Sequence, residues 1–216
     1  MLLAEHRESV CDYARRMVSD GLVVGTSGNL SVRKGDLVAV TPTGVDYASL
    51  RPEDIPVLGL DGSPVEGDLL PTSELPMHLA VYREASDPDG ADITAVVHTH
   101  STHAVAVSTL VDEVPAVHYL VATIGESVRV APYATYGTEE LATNMLAALE
   151  GRRGCLLGNH GTLTYGAGLA AAYSRAQQLE WVCQVWLTAR SVGSPRLLPR
   201  EEIEHVVDRL RGYGQK

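Results

Sequence analysis

Short β-branched runs alternate along this chain with segments of helical periodicity, and that alternation is what most limits its fold. A first helix over residues 5–19 carries Val10, Tyr13, Ala14, Met17 and Val18 on one face and stops at Asp20-Gly21. "LSVR" and "DLVAVT" then flank Lys34-Gly35 and read as a hairpin. "PTSELPMHLAVYREA" opens a helix that Thr72 or Ser73 can cap, because Pro76 is tolerated only in a first turn. That spacing puts Glu74 in the first turn. "ITAVVHTH", "RVAPY" and "GCLLGNHG" read as strands, with helices over 138–149, 169–190 and 199–210. Interleaved strands and helices with at least one hairpin predict one α/β domain over residues 1–216, with helices layered on a mixed sheet.

The formal net charge of −10 argues against a general affinity for nucleic acid or anionic lipid, which depends on basic patches. An anionic substrate would need a local site of backbone N–H groups, hydroxyls or a metal. No apolar run reaches the roughly 20 residues that span a bilayer, and the first ten residues have neither a basic leader nor a cleavage site, so a cytoplasmic location is expected. Cys11, Cys155 and Cys183 sit among apolar residues without CxxC spacing and are read as reduced core cysteines.

Within "VVHTHSTHAV", at residues 96–105, stand three of the eight histidines. His98 and His100 are two apart on a predicted strand, so both side chains share a face, with Cα atoms about 6–7 Å apart. Two such imidazoles can reach one zinc, or can be hydrogen-bonded core residues. "GNHGTLTYG" adds His160 between glycines at the end of a second strand, and three nitrogens from two strand ends form the set a catalytic zinc uses. His103 follows at a turn or helix start and is read as a structural neighbour. Glu74, near a metal-bound carbonyl, could remove a proton from the adjacent carbon, although a first-turn carboxylate also simply favours a helix. "GTSGN" and "TPTG" pair exposed backbone N–H groups with hydroxyl or amide side chains and are the phosphate candidates. The tyrosines of "VHYLVA" and "APYATYGT" could donate a proton to an alkoxide or pack as large amphipathic side chains.

Taken in order, "GTSGNLSVR", "TPTG", "TSE", "HTH", "PAVHYLVA", "APYATYGT", "NHG" and the C-terminal "GYG" make the chain resemble the class II aldolase and epimerase family of sugar phosphates. The resemblance covers nearly the whole length. It implies a three-layer α/β/α fold around a mixed, largely antiparallel sheet, one zinc ion per subunit, and a homotetramer with active sites at subunit interfaces. The implied activity is reversible cleavage of a ketose 1-phosphate, L-fuculose 1-phosphate or a related 5-deoxy-ketose 1-phosphate, to dihydroxyacetone phosphate and a short aldehyde such as L-lactaldehyde. By the same resemblance His98, His100 and His160 match the zinc ligands, and Glu74 matches the acid-base and a possible fourth ligand at rest. Gly28, Asn29, Thr43, Gly44, Thr72 and Ser73 match the phosphate site. Tyr119 matches a phenol that reaches in from a neighbouring subunit, Tyr136 borders the aldehyde site, and Tyr213 matches a tail tyrosine that covers it. Thr72 stands where serine is usual, Tyr136 where phenylalanine is, and Asn159 where histidine is. Within the family the alternatives are a pentulose-phosphate 4-epimerase and a methylthioribulose-1-phosphate-type dehydratase. A non-enzymatic one is an adducin-like binding module.

Overall fold

The computed structural model of the chain describes residues 1–210; Tyr213 and the terminal "GYG" lie outside the described residues. Helix α1 (Ala4–Ser19) precedes the hairpin β1 (Asn29–Lys34) and β2 (Leu37–Val40), where Gly35 supplies the left-handed turn backbone. β3 (Val57–Gly59), β4 (Pro64–Glu66), α2 (Leu75–Glu84) and β5 (Ala95–Thr99) follow. Next come α3 (Thr102–Ser108), β6 (Glu113–Val114), β7 (Val128–Ala131) and α4 (Glu139–Leu149), the last capped by the Thr138 hydroxyl, which accepts from Leu141 N–H. β8 (Gly154–Leu157), β9 (Gly161–Gly166), α5 (Leu169–Val192) and α6 (Arg200–Leu210) complete the order.

The strands form one sheet in the order β4-β3-β2-β1-β5-β9-β8-β7-β6. Every pairing is antiparallel except β7 with β8, so the sheet is mixed and largely antiparallel, as expected. Alternating residues feed two layers. Val96, Cys155, Leu157, Leu163 and Tyr165 pack under α2 and α4. Leu30, Val32, Ala95 and Val97 pack under α1 and the start of α5, and Val128 and Leu156 meet α3, α6 and the rest of α5. The result is a three-layer α/β/α arrangement. No helix among the described residues is long and apolar enough to cross a membrane.

Three local expectations need correction. Helix α2 begins at Leu75, so Glu74 occupies its N-cap position and not its first turn; its N–H bonds the Thr72 hydroxyl at 3.3 Å, and Leu75 N–H bonds the Thr72 carbonyl. "GCLLGNHG" is not one strand. Asn159 adopts a left-handed backbone, φ 54°, and turns β8 back into β9, which places His160 on the hairpin turn. β5 stops at Thr99, leaving His100 just beyond it. The two- and three-residue strands β3, β4 and β6 were not expected, being too short to show a period.

Candidate metal centre and substrate cleft

Strand β5 is the centre from which the site is built. His98 shares a face with Val96, toward α2, and its cross-strand partners are Asn29 on β1 and Leu163 on β9. Glycine permits both neighbours to close on it. A Cβ on Gly161 would lie 2.1 Å from the Thr99 carbonyl, and one on Gly28 would lie 2.9 Å from the His98 carbonyl. Three histidine rings therefore meet in T-shaped pairs, with centroids 4.8 Å apart for His98 and His100, 4.9 Å for His98 and His160, and 4.8 Å for His100 and His160.

Glu74 closes the group from the start of α2. One donor atom from each of Glu74, His98, His100 and His160 lies within 4.8 Å of the others, an arrangement that could hold a metal ion. Glu74 Oε2 is 3.0 Å from His98 Nε2, and Oε1 is 3.1 Å from His160 Nε2. Oε1 is nonetheless buried without hydrogen-bond geometry to any partner among the described residues. His98 Nδ1 meets the Thr162 carbonyl at 2.7 Å and must donate to it. In the neutral ring, Nε2 then turns a lone pair on both the carboxylate and His100 Nε2, 2.9 Å away. Positive charge is needed at that point. Burial opposes it on His98, yet the Glu74 carboxylate holds the His98 pKa above its ordinary value. Burial likewise opposes ionisation of Glu74, but His98 and His160 outweigh it and hold Glu74 well below the usual carboxylate range. His100 is pushed down to about 3 by burial and by its two histidine neighbours, so it offers a free nitrogen. An acceptor-rich set whose charge deficit a cation would fill, with a stranded carboxylate oxygen, fits a divalent ion.

A cleft of about 410 Å³ opens over this group. Gly28, Asn29, Thr43, Gly44, Thr72, Ser73, Glu74, His100, Tyr136 and His160 all line it, while His98 lies fully buried beneath. Its phosphate-candidate loops are braced. Thr72 N–H bonds the Thr41 carbonyl at 3.0 Å, Thr43 N–H bonds the Leu70 carbonyl at 3.0 Å, and the Tyr47 hydroxyl donates to the Gly28 carbonyl at 2.6 Å. Among the described residues no lysine or arginine lines the cleft, so an anion there would meet hydroxyls and backbone N–H groups.

Other expected residues fall elsewhere. Tyr119 is 48% exposed, stacks on His118 with centroids 4.4 Å apart, and is not among the residues lining the cleft. His103 is the second residue of α3 and bonds Glu180 at 2.6 Å, away from the metal group. Asn29 borders the cleft, but its side chain is engaged with Glu74 and with buried His78. His78 was missed by sequence reasoning, although its place four residues after Glu74 was a usable signal; Tyr47 on the cleft wall was missed too, whereas Tyr133 beside it is one of the tyrosines singled out in "APYATYGT".

Residues 8–187 match the family described as Class II Aldolase and Adducin N-terminal domain. The chain is 42% identical to a 5-deoxy-D-ribulose 1-phosphate aldolase of Bacillus thuringiensis serovar kurstaki, over 100% of both chains. It is 38% identical to a 5-methylthioribulose-1-phosphate/5-deoxyribulose-1-phosphate aldolase of Rhodospirillum rubrum, over 96% of this chain and 92% of that one. A solved L-fuculose 1-phosphate aldolase superposes with a TM-score of 0.92 at 38% identity, covering 98% of each chain.

Proposed function

The chain belongs to the class II aldolase and adducin family, and on that premise we propose that it is a zinc-dependent aldolase of 5-deoxypentulose 1-phosphates. The reaction breaks the C3–C4 bond to give dihydroxyacetone phosphate and acetaldehyde. L-fuculose 1-phosphate, which would give L-lactaldehyde, is the second substrate to consider, given the solved structure this chain resembles. The observation that carries the reading is the convergence of Glu74 with His98, His100 and His160 at the floor of a cleft walled by hydroxyls.

His98, His100 and His160 are the ligands in this proposal, with Glu74 as a fourth at rest. Zinc, when bound, would supply Lewis-acid polarisation of the substrate carbonyl. In synthesis Glu74 removes a proton from C3 of dihydroxyacetone phosphate; in cleavage it returns that proton to C3, which keeps the electron pair of the broken bond. The Tyr119 phenol gives a proton to the C4 oxygen in synthesis and takes it back in cleavage. Because Tyr119 does not line the cleft of its own chain, it would act in that of a neighbouring copy, as a homotetramer allows. Gly28, Asn29, Thr43, Gly44, Thr72 and Ser73 hold the phosphate, and Tyr136 borders the aldehyde end. A reducing cytoplasm suits the three free, buried cysteines.

The test is to incubate the zinc-loaded protein with 5-deoxyribulose 1-phosphate and with L-fuculose 1-phosphate, and to follow dihydroxyacetone phosphate by coupled reduction. The expected result is release from both, with the higher kcat/KM for the pentulose. Release from neither overturns the aldolase reading, and an epimer or a dehydrated product would move the assignment to the corresponding relatives.

A further inference from the structure

Behind Glu74 runs a buried series of hydrogen bonds that the reaction as described leaves unused. His78 and Tyr82 lie four apart on one face of α2, below Glu74 at its N-cap, and Asn29 and Ser31 lie two apart on β1 and share a face of the sheet. Where the two faces meet, Asn29 Nδ2 reaches Glu74 Oε2 at 2.9 Å, and Asn29 Oδ1 meets His78 Nε2 at 2.6 Å. His78 Nδ1 meets Ser31 Oγ at 2.7 Å, and Ser31 Oγ meets the Tyr82 hydroxyl at 2.8 Å. His78 and Ser31 are wholly inaccessible, and Asn29 and Tyr82 nearly so.

With Glu74 ionised and the His78 ring neutral, chemistry fixes the direction of every link. An ionised carboxylate only accepts, so the Asn29 amide nitrogen faces Glu74 and its oxygen faces His78. That oxygen only accepts, so His78 carries its hydrogen on Nε2. Nδ1 is then the acceptor, Ser31 Oγ–H donates to it, and the Tyr82 hydroxyl donates to Ser31. Any other orientation sets two acceptors or two donors against each other in a site closed to water.

We propose that His78, Ser31 and Tyr82 are positioning residues that act through Asn29 to hold Glu74 Oε2 as a fixed acceptor, so that Glu74 exchanges the substrate proton at Oε1. Oε1 is the oxygen buried without a hydrogen bond among the described residues. This assignment rests on the role given to Glu74 above, and it makes Asn29 the link between phosphate loop and base. Burial, with the His98 charge, pushes the His78 pKa down to about 3, which agrees with a neutral ring carrying one hydrogen.

Long-range proton–nitrogen correlation spectra of the purified wild-type protein report the His78 tautomer without any turnover. The Nε2–H form is expected; an Nδ1–H or doubly protonated ring overturns the relay. In zinc-loaded protein, His78→Gln keeps a donor where Nε2–H stood, whereas His78→Asn does not. The latter is expected to lose about 10–100-fold in kcat with unchanged KM and zinc content, and the former clearly less. Equal losses in both variants, or wild-type kcat in His78→Asn, contradict the proposal. Should either variant fail to fold, Ser31→Ala probes the far end, with a several-fold loss in kcat alone expected and no loss contradictory. A wild-type protein that releases no dihydroxyacetone phosphate would defeat the aldolase reading while the spectra still decide the relay.

Discussion

In the proposed reaction Glu74 is the residue on which the chemistry turns, and its two oxygens have different surroundings. Oε2 is fixed by Asn29, while Oε1 has no hydrogen bond among the described residues. Replacement by glutamine keeps the size and removes the base. Glu74→Gln is expected to retain zinc, measured by elemental analysis, and to lose about 10²–10⁴-fold in kcat. Full turnover in that variant would remove Glu74 from the mechanism. At this scale the sequence was informative where chemistry and spacing coincide: His98 and His100 stand two apart at the end of β5, and glycines flank the Asn159-His160 turn. His78, Ser31 and Tyr82 were illegible as a set, because Ser31 lies 47 and 51 positions from its two partners and only the packing of α2 on β1 joins them.

Two seams between elements keep the side chains in place. The first is β5 against β9, where Gly161 lets the backbone of the β8–β9 turn touch Thr99. A methyl group there must push β9 away and take His160 with it. Gly161→Ala is expected to lose about 1–3 kcal/mol of stability and to weaken metal binding, measured by urea unfolding and by competition with a chromophoric chelator. Unchanged metal affinity would show that the close approach does not position His160. The second seam ties the loop after α2 to the start of β8. Arg153 Nε and Nη2 donate to the two Asp87 oxygens at 2.8 and 2.9 Å, and Nη2 also reaches Asp89 at 2.6 Å. Burial opposes the Asp87 charge, but Arg153 outweighs it and holds the Asp87 pKa below its ordinary value.

A folded-state pKa below the unfolded one means that this stabilisation is present above about pH 4 and is lost as pH falls through the folded value. Asp87→Asn is expected to lower stability at pH 7 by up to about 3 kcal/mol, near the low end for a broken buried pair because Asp89 still meets Arg153. In urea melts the gap from wild type should hold from pH 7 to about 5 and shrink below about 4. A gap that widened in acid would contradict the sign. Legibility at this scale followed length. The long helices and the β1–β2 hairpin show a period or a turn signal, whereas β6 has two residues and "GCLLGNHG" hides a turn that depends on the Asn159 backbone.

For the whole molecule, the largely antiparallel sheet lets β1, β5 and β9 lie side by side, so that residues distant in sequence reach one end of one face. The layered α/β fold was legible because alternating patterns require sheet faces to be covered by helices. The strand order was not, since it depends on contacts between distant segments. A donor set drawn from α2, β5 and the β8–β9 turn should couple metal binding to folding, because unfolding disperses all four groups. The most direct test is to strip the protein with chelator and titrate zinc back while following dihydroxyacetone phosphate release from 5-deoxyribulose 1-phosphate. Activity is expected to be absent in the stripped protein, to rise to a plateau at about one zinc ion per chain, and to stay absent in His98→Ala. Full turnover without metal, or a His98→Ala variant that recovers wild-type activity with zinc, would contradict it.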